Sequence, residues 1–468
     1  MKPLTKNLLS SSASDAGSRL LGFLVTAYLA RVLGPPAFGI ISIALSVLGY
    51  AVLFAGPGMN VMGTRLVAST RGAEAEFSSD VVSLRTLLAA ACAAAAALVL
   101  LPVYGASWQW LTIVIFALAA IPMAGAPDWY LQGKGAMGWL AASRIGSYVI
   151  YFTLVVLLVH GPLDSPWTAA AFTCANGAGA LLAAAGFSRI AGIPLQPAWR
   201  PGRWKELLRT SIPLGISSLL AQTVVNLPVL VVAVFLTDRD TGLFGAVMKL
   251  VFFVLMVDRI FYLLFLPAVS RAHAEGAARL SLVTVLGLKA VMLVALPIAG
   301  LGIRFALPII GLVYGGSFAD AGSVLACAMP YFLFTVINTV MMSVLYASRR
   351  EKEFLYLQLI GTAALVCLCG VLTVLLGTVG SAIGLSAGEL VMTVLLVRRV
   401  GRTVALSLPK TVLPFAGAAL LMAGGMTALT GGSQVVSAAA GIGTFLLAVL
   451  LLGGITRNDL RIVREKLA

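Results

Sequence analysis

Charged side chains inside long apolar runs are the residues of this chain whose chemistry must be explained. Each costs about 2.5–3.5 kcal/mol at the centre of a membrane-spanning helix. Asp15 and Arg19 both fall in the run from about residue 8 to 33. Together they cost about 5–7 kcal/mol, whereas the ten Leu, Phe and Val residues from Leu8 to Leu33 return about 3–6. Such a helix is marginal in lipid, so its charges should face protein or a water-filled cavity. At 100° per residue, Ser11, Asp15, Arg19, Gly22 and Thr26 lie within about 40° of one line. The stripe reads either as a buried Asp–Arg pair that fixes packing or as a cavity wall.

Ser211, Gly215, Ser218, Gln222 and Asn226, spaced by three and four, form a second polar face, although such residues also serve ordinary interhelical packing. Lys249, Asp258 and Arg259 sit in the run 243–268, and Lys289 in 281–303. Lys249 and Arg259 project about 80° apart and can border one wide cavity, while Asp258 points away from Lys249. Lys289 can instead snorkel or lie at an interface. Glu389 is the other deep acid, and Asp128 lies near the cytoplasmic end of its run. Arginine's planar fork suits phosphate, so the balance of bases over acids leans towards an anionic ligand. The candidate substrate-binding residues are Arg19, Lys249, Arg259, Gln222 and Asn226; Asp15, Asp258 and Glu389 are candidates for ion coupling or ion pairs.

The elements that must position these residues follow from composition. With 468 residues, 60% hydrophobic, 10% charged and a mean hydropathy of +1.02, the chain belongs in a membrane. Apolar runs predict fourteen spans, at about 8–33, 38–62, 80–103, 109–130, 138–160, 166–188, 207–236, 243–268, 281–303, 322–347, 354–376, 378–399, 411–430 and 435–455. With the N-terminus inside, 25 of the 32 Lys and Arg fall on the cytoplasmic side and only Arg31, Arg239 and Arg304 opposite. That asymmetry places both termini in the cytoplasm and accounts for the +15 net charge without nucleic acid. The segment Ser188–Glu206 reads as a polar linker. Around it we expect an N-terminal six-helix lobe (1–188), a cytoplasmic linker (189–206), a C-terminal six-helix lobe (207–400), and two extra helices with a basic tail (401–468). AYLARVLGPPAFG (27–39) and AVFLTDRDTGLFG (233–245) align at an offset of 206 and support a 6+6 repeat, a plan transporters share. Asp15 and Arg19 interrupt what would be a signal-peptide core, so the first run reads as a retained span.

Bond-making chemistry has no visible carrier. There is no GxSxG or Walker motif, and the longest outer connection, about 304–321, has Asp320 as its only acid. Five cysteines without CxxC spacing and two histidines predict neither a disulfide framework nor a metal or cofactor site. The expectation is a transporter, not an enzyme, driven by an ion gradient or the membrane potential.

Four segments resemble the Wzx-type polysaccharide transporters, the O-antigen and exopolysaccharide flippases of the multidrug/oligosaccharidyl-lipid/polysaccharide exporter superfamily. They are LARVLGPPAFGIISIALSVLGY (29–50) with GPGMNVMGTRLVA (56–68), PDWYLQGKGAM (127–137), LPAVSRAHAEG (266–276) and LVYGGSFADAGSVL (312–325). The resemblance implies an all-α polytopic protein: two pseudo-symmetric six-helix lobes around a central cationic cavity, plus two C-terminal helices. Its implied substrate is an oligosaccharide, usually on undecaprenyl pyrophosphate, flipped from the inner to the outer leaflet of the bacterial cytoplasmic membrane. Alternating access, membrane lipid, H+ or Na+ as coupling ion, and polymerase and glycosyltransferase partners come with it as expectations. Within the superfamily a cation-coupled multidrug antiporter would depend on acids rather than bases, and a lipid II flippase would be essential to its host.

Overall fold

The computed structural model describes residues 2–69, 74–405, 407–428, 433–456 and 459; for residues 2–16, 19, 74, 75, 408 and 428 it describes the backbone alone. Among them there are helices and no strands. Eleven helical stretches of the described residues are long and apolar enough to cross a membrane. Two of these are pairs of spans. The 50-residue α-helical stretch Glu351–Val400 would reach about 75 Å at 1.5 Å per residue, more than twice the ~30 Å apolar core. It breaks at Gly377, at φ 65° and ψ −144°; Lys2–Ala55 breaks likewise at Gly34, at φ 72° and ψ 172°. Only a residue without Cβ takes those angles freely. Pro35 and Pro36 then restart the helix where no N–H partner is needed. Counting both pairs and adding Leu408–Ala428, each of the fourteen expected spans has a helical counterpart.

We label the helices α1 (Lys2–Ala55), α2 (Met59–Ser69), α3 (Glu74–Tyr104), α4 (Trp108–Leu118), α5 (Ala120–Gly125), α6 (Asp128–Gly133), α7 (Met137–Leu158), α8 (Ser165–Ala191) and α9 (Pro201–Phe235). They continue as α10 (Asp238–Val254), α11 (Met256–Glu275), α12 (Ala277–Arg304), α13 (Ala306–Tyr314), α14 (Ala321–Ala347), α15 (Glu351–Val400), α16 (Leu408–Ala428) and α17 (Gln434–Leu451). Three expected continuous spans are interrupted, the second span at residues 56–58, between α1 and α2. Pro127 forces Ala126 into an extended conformation (φ −70°, ψ 125°), so the fourth span splits and Asp128 opens α6. The eighth span breaks at Leu255, which puts Asp258 in the first turn of α11, where the helix dipole favours a carboxylate.

The chain divides into two compact units. The first comprises residues 1–249 and 313–318. In it α1 packs against α3, α4, α7 and α9. The second half of α1 meets α10 through a glycine pair: a Cβ on Gly39 would lie 2.9 Å from the Asp238 carbonyl carbon, and one on Gly242 would lie 2.8 Å from that of Pro35. This crossing is reciprocal at an offset of 203 residues, Gly39 to Gly242, rather than the 206 of the Phe-Gly match. Trp129, Tyr130, Phe187 and Trp204 form a buried aromatic core, and Trp204 stacks edge-on with Trp199 at 4.8 Å. The polar linker is tied down beside it, with Arg203 3.3 Å from the buried Asp80 and 2.9 Å from Glu76.

The second unit comprises residues 250–312 and 319–468. Its centre is α14, which packs against α11, α12 and α15. Helices α16 and α17 pack on each other and on α12.

Candidate functional site

Within the first unit, a cavity of about 470 Å³ is lined by α1, α5, α6, α7 and α8. Its size lies in the ~300–1,000 Å³ range of small-ligand sites. Arg144, Tyr148 and Tyr151 line it from one face of α7 at helical spacing, joined by Ser18 of α1, Asp128 of α6 and Asn176 of α8. Small residues let the helices around that face approach closely. Ser143 donates to the Gly179 carbonyl at 2.8 Å, bringing α7 and α8 together. A Cβ on Gly22 of α1 would lie 3.1 Å from the Tyr148 ring, so the helix-1 stripe approaches α7 there. Arg144 pairs with Asp128, Nε to Oδ2, at 3.4 Å, both side chains being partly exposed (46% and 32%). The arrangement joins a carboxylate, a guanidinium, an amide and two phenol rings, groups that hydrogen-bond hydroxyls, bind anions and stack on apolar ring faces.

Arg144 and Arg85, which the charge asymmetry counts at cytoplasmic ends of spans, are not surface charges: Arg144 lines the cavity, and Arg85 of α3 is only 3% exposed. Counting charges by side of the membrane says nothing of whether an arginine near a helix end is buried or exposed. The signal available was the 144, 148, 151 spacing.

Of the expected site residues of the first unit, the structure describes the side chains of Gln222, Asn226 and Lys249. Asp15 and Arg19 belong to the part of α1 whose side chains lie outside the described residues. Gln222 and Asn226 are bonded to each other at 3.2 Å, and Gln222 donates to the Gly49 carbonyl at 3.0 Å, so they join α9 to α1. Lys249 is half-buried on α10 and has no ion pair among the described residues.

In the second unit the two expected acids come together. Thr339 donates to Asp258 at 3.0 Å, and the neighbouring Asn338 donates to Glu389 at 2.8 Å. Two carboxylates from α11 and α15 thus flank consecutive residues of α14, and neither makes an ion pair among the described residues. Asp258 Oδ1 and Asn338 Oδ1 are buried without a hydrogen-bond partner. This oxygen-rich cluster can hold a proton or a small cation. Arg259 is exposed on α11. Lys289 neither snorkels nor lines a site: its ammonium meets Asp459 at 2.7 Å. Burial raises the Asp459 carboxyl, but the Lys289 and Thr456 donors outweigh it and hold the group below its usual range.

Residues 4–257 match the family described as "Polysaccharide biosynthesis protein", more than half of the chain. The chain belongs to that family. Within the polysaccharide biosynthesis proteins it is 26% identical over 170 residues to a "Putative O-antigen transporter" of Escherichia coli (strain K12). That match covers 34% of this chain and 40% of the relative's length. Among solved structures, "Lipid II flippase MurJ, inward closed conformation" superposes with a TM-score of 0.76 at 16% identity, covering 96% of this chain and 99% of that one. An inward-facing multidrug resistance MATE family transporter of the MOP superfamily gives 0.68 at 15% identity, covering 82% and 95%. This member therefore has the fold of those transporters and is a multi-pass helical membrane protein.

Proposed function

We propose that this chain flips a polyprenyl-pyrophosphate-linked oligosaccharide from the inner to the outer leaflet of the bacterial cytoplasmic membrane, for surface polysaccharide synthesis. The observation that carries the reading is a polar cavity of about 470 Å³ built, in a lipid-embedded bundle, by the stretch that matches the polysaccharide biosynthesis family. A sugar headgroup needs such polar volume, whereas its polyprenyl tail can stay in lipid. Both termini are cytoplasmic in this reading, and the six-helix lobes 1–188 and 207–400 move by alternating access. Arg19 and Lys249 make the first contacts with the pyrophosphate, with Arg259 a further cation, and Gln222 and Asn226 offering amides.

No covalent step is required of the protein. Moving about two negative charges outward against an inside-negative potential releases roughly 4.6 kcal/mol per 100 mV. The Asp258–Glu389 cluster adds a place for H+ or Na+ to couple. Glycosyltransferases and a polysaccharide polymerase are the partners this reading implies.

The test is mass spectrometry of polyprenyl-linked glycans in a deletion strain complemented with wild-type, Arg19→Ala or Lys249→Ala protein. The expected result is an oligosaccharide-pyrophosphate lipid that accumulates on deletion, clears with wild-type and persists with either variant. Unchanged lipids with raised sensitivity to cationic drugs would replace the reading with efflux.

A further inference from the structure

The Asp128–Arg144 pair is incomplete on both sides. Arg144 engages only Oδ2 of the carboxylate, at 3.4 Å from Nε and 3.5 Å from Nη2. Charge-assisted hydrogen bonds of this type usually measure ~2.7–2.9 Å. The other oxygen, Oδ1, is buried with no hydrogen-bond partner. Arg85 supplies the matching vacancy. Its Nε and Nη1 are buried and unpartnered, and Asp128 is the charge that acts on its guanidinium. Arg85 is also wedged in place: a Cβ on Gly56 would come within 2.7 Å of its Nε and 3.1 Å of its Cγ and Cδ. Asp128 is thus paired, loosely, with the cavity-facing Arg144, while the buried Arg85 has no hydrogen-bond partner, and Asp128 is the one acid among the described residues that line the cavity. A buried cation without a partner is costly. The cost is relieved if Asp128 turns to Arg85, and Arg144 then presents its fork to the cavity.

We propose that Asp128 is an exchangeable counter-ion: a phosphate or pyrophosphate group entering the cavity takes Arg144, and Asp128 passes to Arg85. That the group is a lipid headgroup rests on the flippase reading; the exchange itself does not. Before the anion arrives the trio carries a net positive charge with one cation unpaired. Afterwards each guanidinium faces its own anion. Arg144 touches the ligand, and Arg85 is a positioning residue that acts through Asp128.

The test is calorimetric titration of the full chain, in lipid nanodiscs, with inorganic pyrophosphate. Arg144→Ala should weaken binding by about tenfold or more, the worth of a charge-assisted hydrogen bond. Asp128→Asn removes the competitor and should tighten it by about fivefold, the upper worth of a half-exposed ion pair. Arg85→Met strands Asp128 on Arg144 and should weaken binding by a similar factor. The Asp128→Asn/Arg85→Met double variant should return to the Asp128→Asn value, because Arg85 then has no carboxylate to draw away. A merely structural Arg85 would leave the double variant weak, which overturns the proposal, as does weaker binding in Asp128→Asn alone. The latter measurement stands even if Arg85→Met fails to fold. A second arm loads the nanodiscs with undecaprenyl pyrophosphate. If it displaces inorganic pyrophosphate, the ligand is a lipid headgroup. If it does not while the variant pattern holds, the exchange stands for a free anion and the assignment of the lipid headgroup to this cavity falls, the flippase reading itself being decided by the polyprenyl-glycan measurement. If it displaces the probe but the variants show no exchange, the flippase reading stands and this proposal falls.

Discussion

Replacing Gly242 by alanine should unseat the crossing that joins the N-terminal helix pair to α10. A Cβ there would lie 2.8 Å from the Pro35 carbonyl carbon and 3.0 Å from the Gly39 nitrogen, with the carbonyl oxygen nearer still. Ordinary contacts need about 3.4 Å or more, and both neighbours are backbone, so no side chain can give way. With the carbonyl oxygen setting the limit, the backbones must part by about an ångström or more along a crossing that also seats Gly245 against Ser42. Overpacking of this kind costs about 1–3 kcal/mol. Gly177 of α8 is the control, because nothing lies within 4 Å of a Cβ built there. Gly177→Ala should stabilise by up to about 1 kcal/mol through helix propensity. Apparent melting temperature of the detergent-solubilised protein, followed by tryptophan fluorescence at one scan rate, reads both, and the two variants should move in opposite directions. Gly39→Ala should match Gly242→Ala, and the double variant should cost less than the two together, because one separation relieves both clashes. Equal melting temperatures for Gly242→Ala and Gly177→Ala would refute the reasoning.

Three further outcomes are expected. Asp459→Ala leaves Lys289 unpaired within its span and should cost about 3–5 kcal/mol, whereas Lys289→Met/Asp459→Ala should lie near wild-type, a double-mutant cycle read by the same melting assay. The Asp459 carboxyl titrates below its usual value of about 3.9, so its pairing stabilises the fold above that pH. That contribution is lost as pH falls through the lower folded-state value; a melting profile from pH 6 to 3 should show it, and Asp459→Asn should flatten the profile. Asp258→Asn and Glu389→Gln keep the hydrogen bonds of Thr339 and Asn338 within reach of an oxygen but remove the charges. If the cluster couples an ion, both variants should retain folding and lose the response of lipid-linked glycan clearance to an imposed H+ or Na+ gradient; an unaltered response would rule the cluster out as the coupling site.

Membrane character and the fourteen crossings were legible in the sequence because hydropathy is a sum over neighbours in the chain, and a run of about 20 apolar residues has few other stable environments. The breaks at Gly34 and Gly377 were legible for a similar local reason: a residue without Cβ adjoins two prolines in one case and a span limit in the other. The sequence also identified which charges needed explanation. What each charge does was decided by helix faces meeting across long separations. Lys289 found Asp459 at 170 residues' distance, Asp258 found Thr339 at 81, and Glu389 found Asn338 at 51. Arg85, counted by its position near a helix end as a cytoplasmic charge, is buried in the first unit because α3 turns that face inward beside Gly56. Periodicity gives the direction of a side chain about its own helix axis. Only packing decides what stands opposite it, and for a charge in an apolar bundle that partner is what separates a structural pair from a binding group.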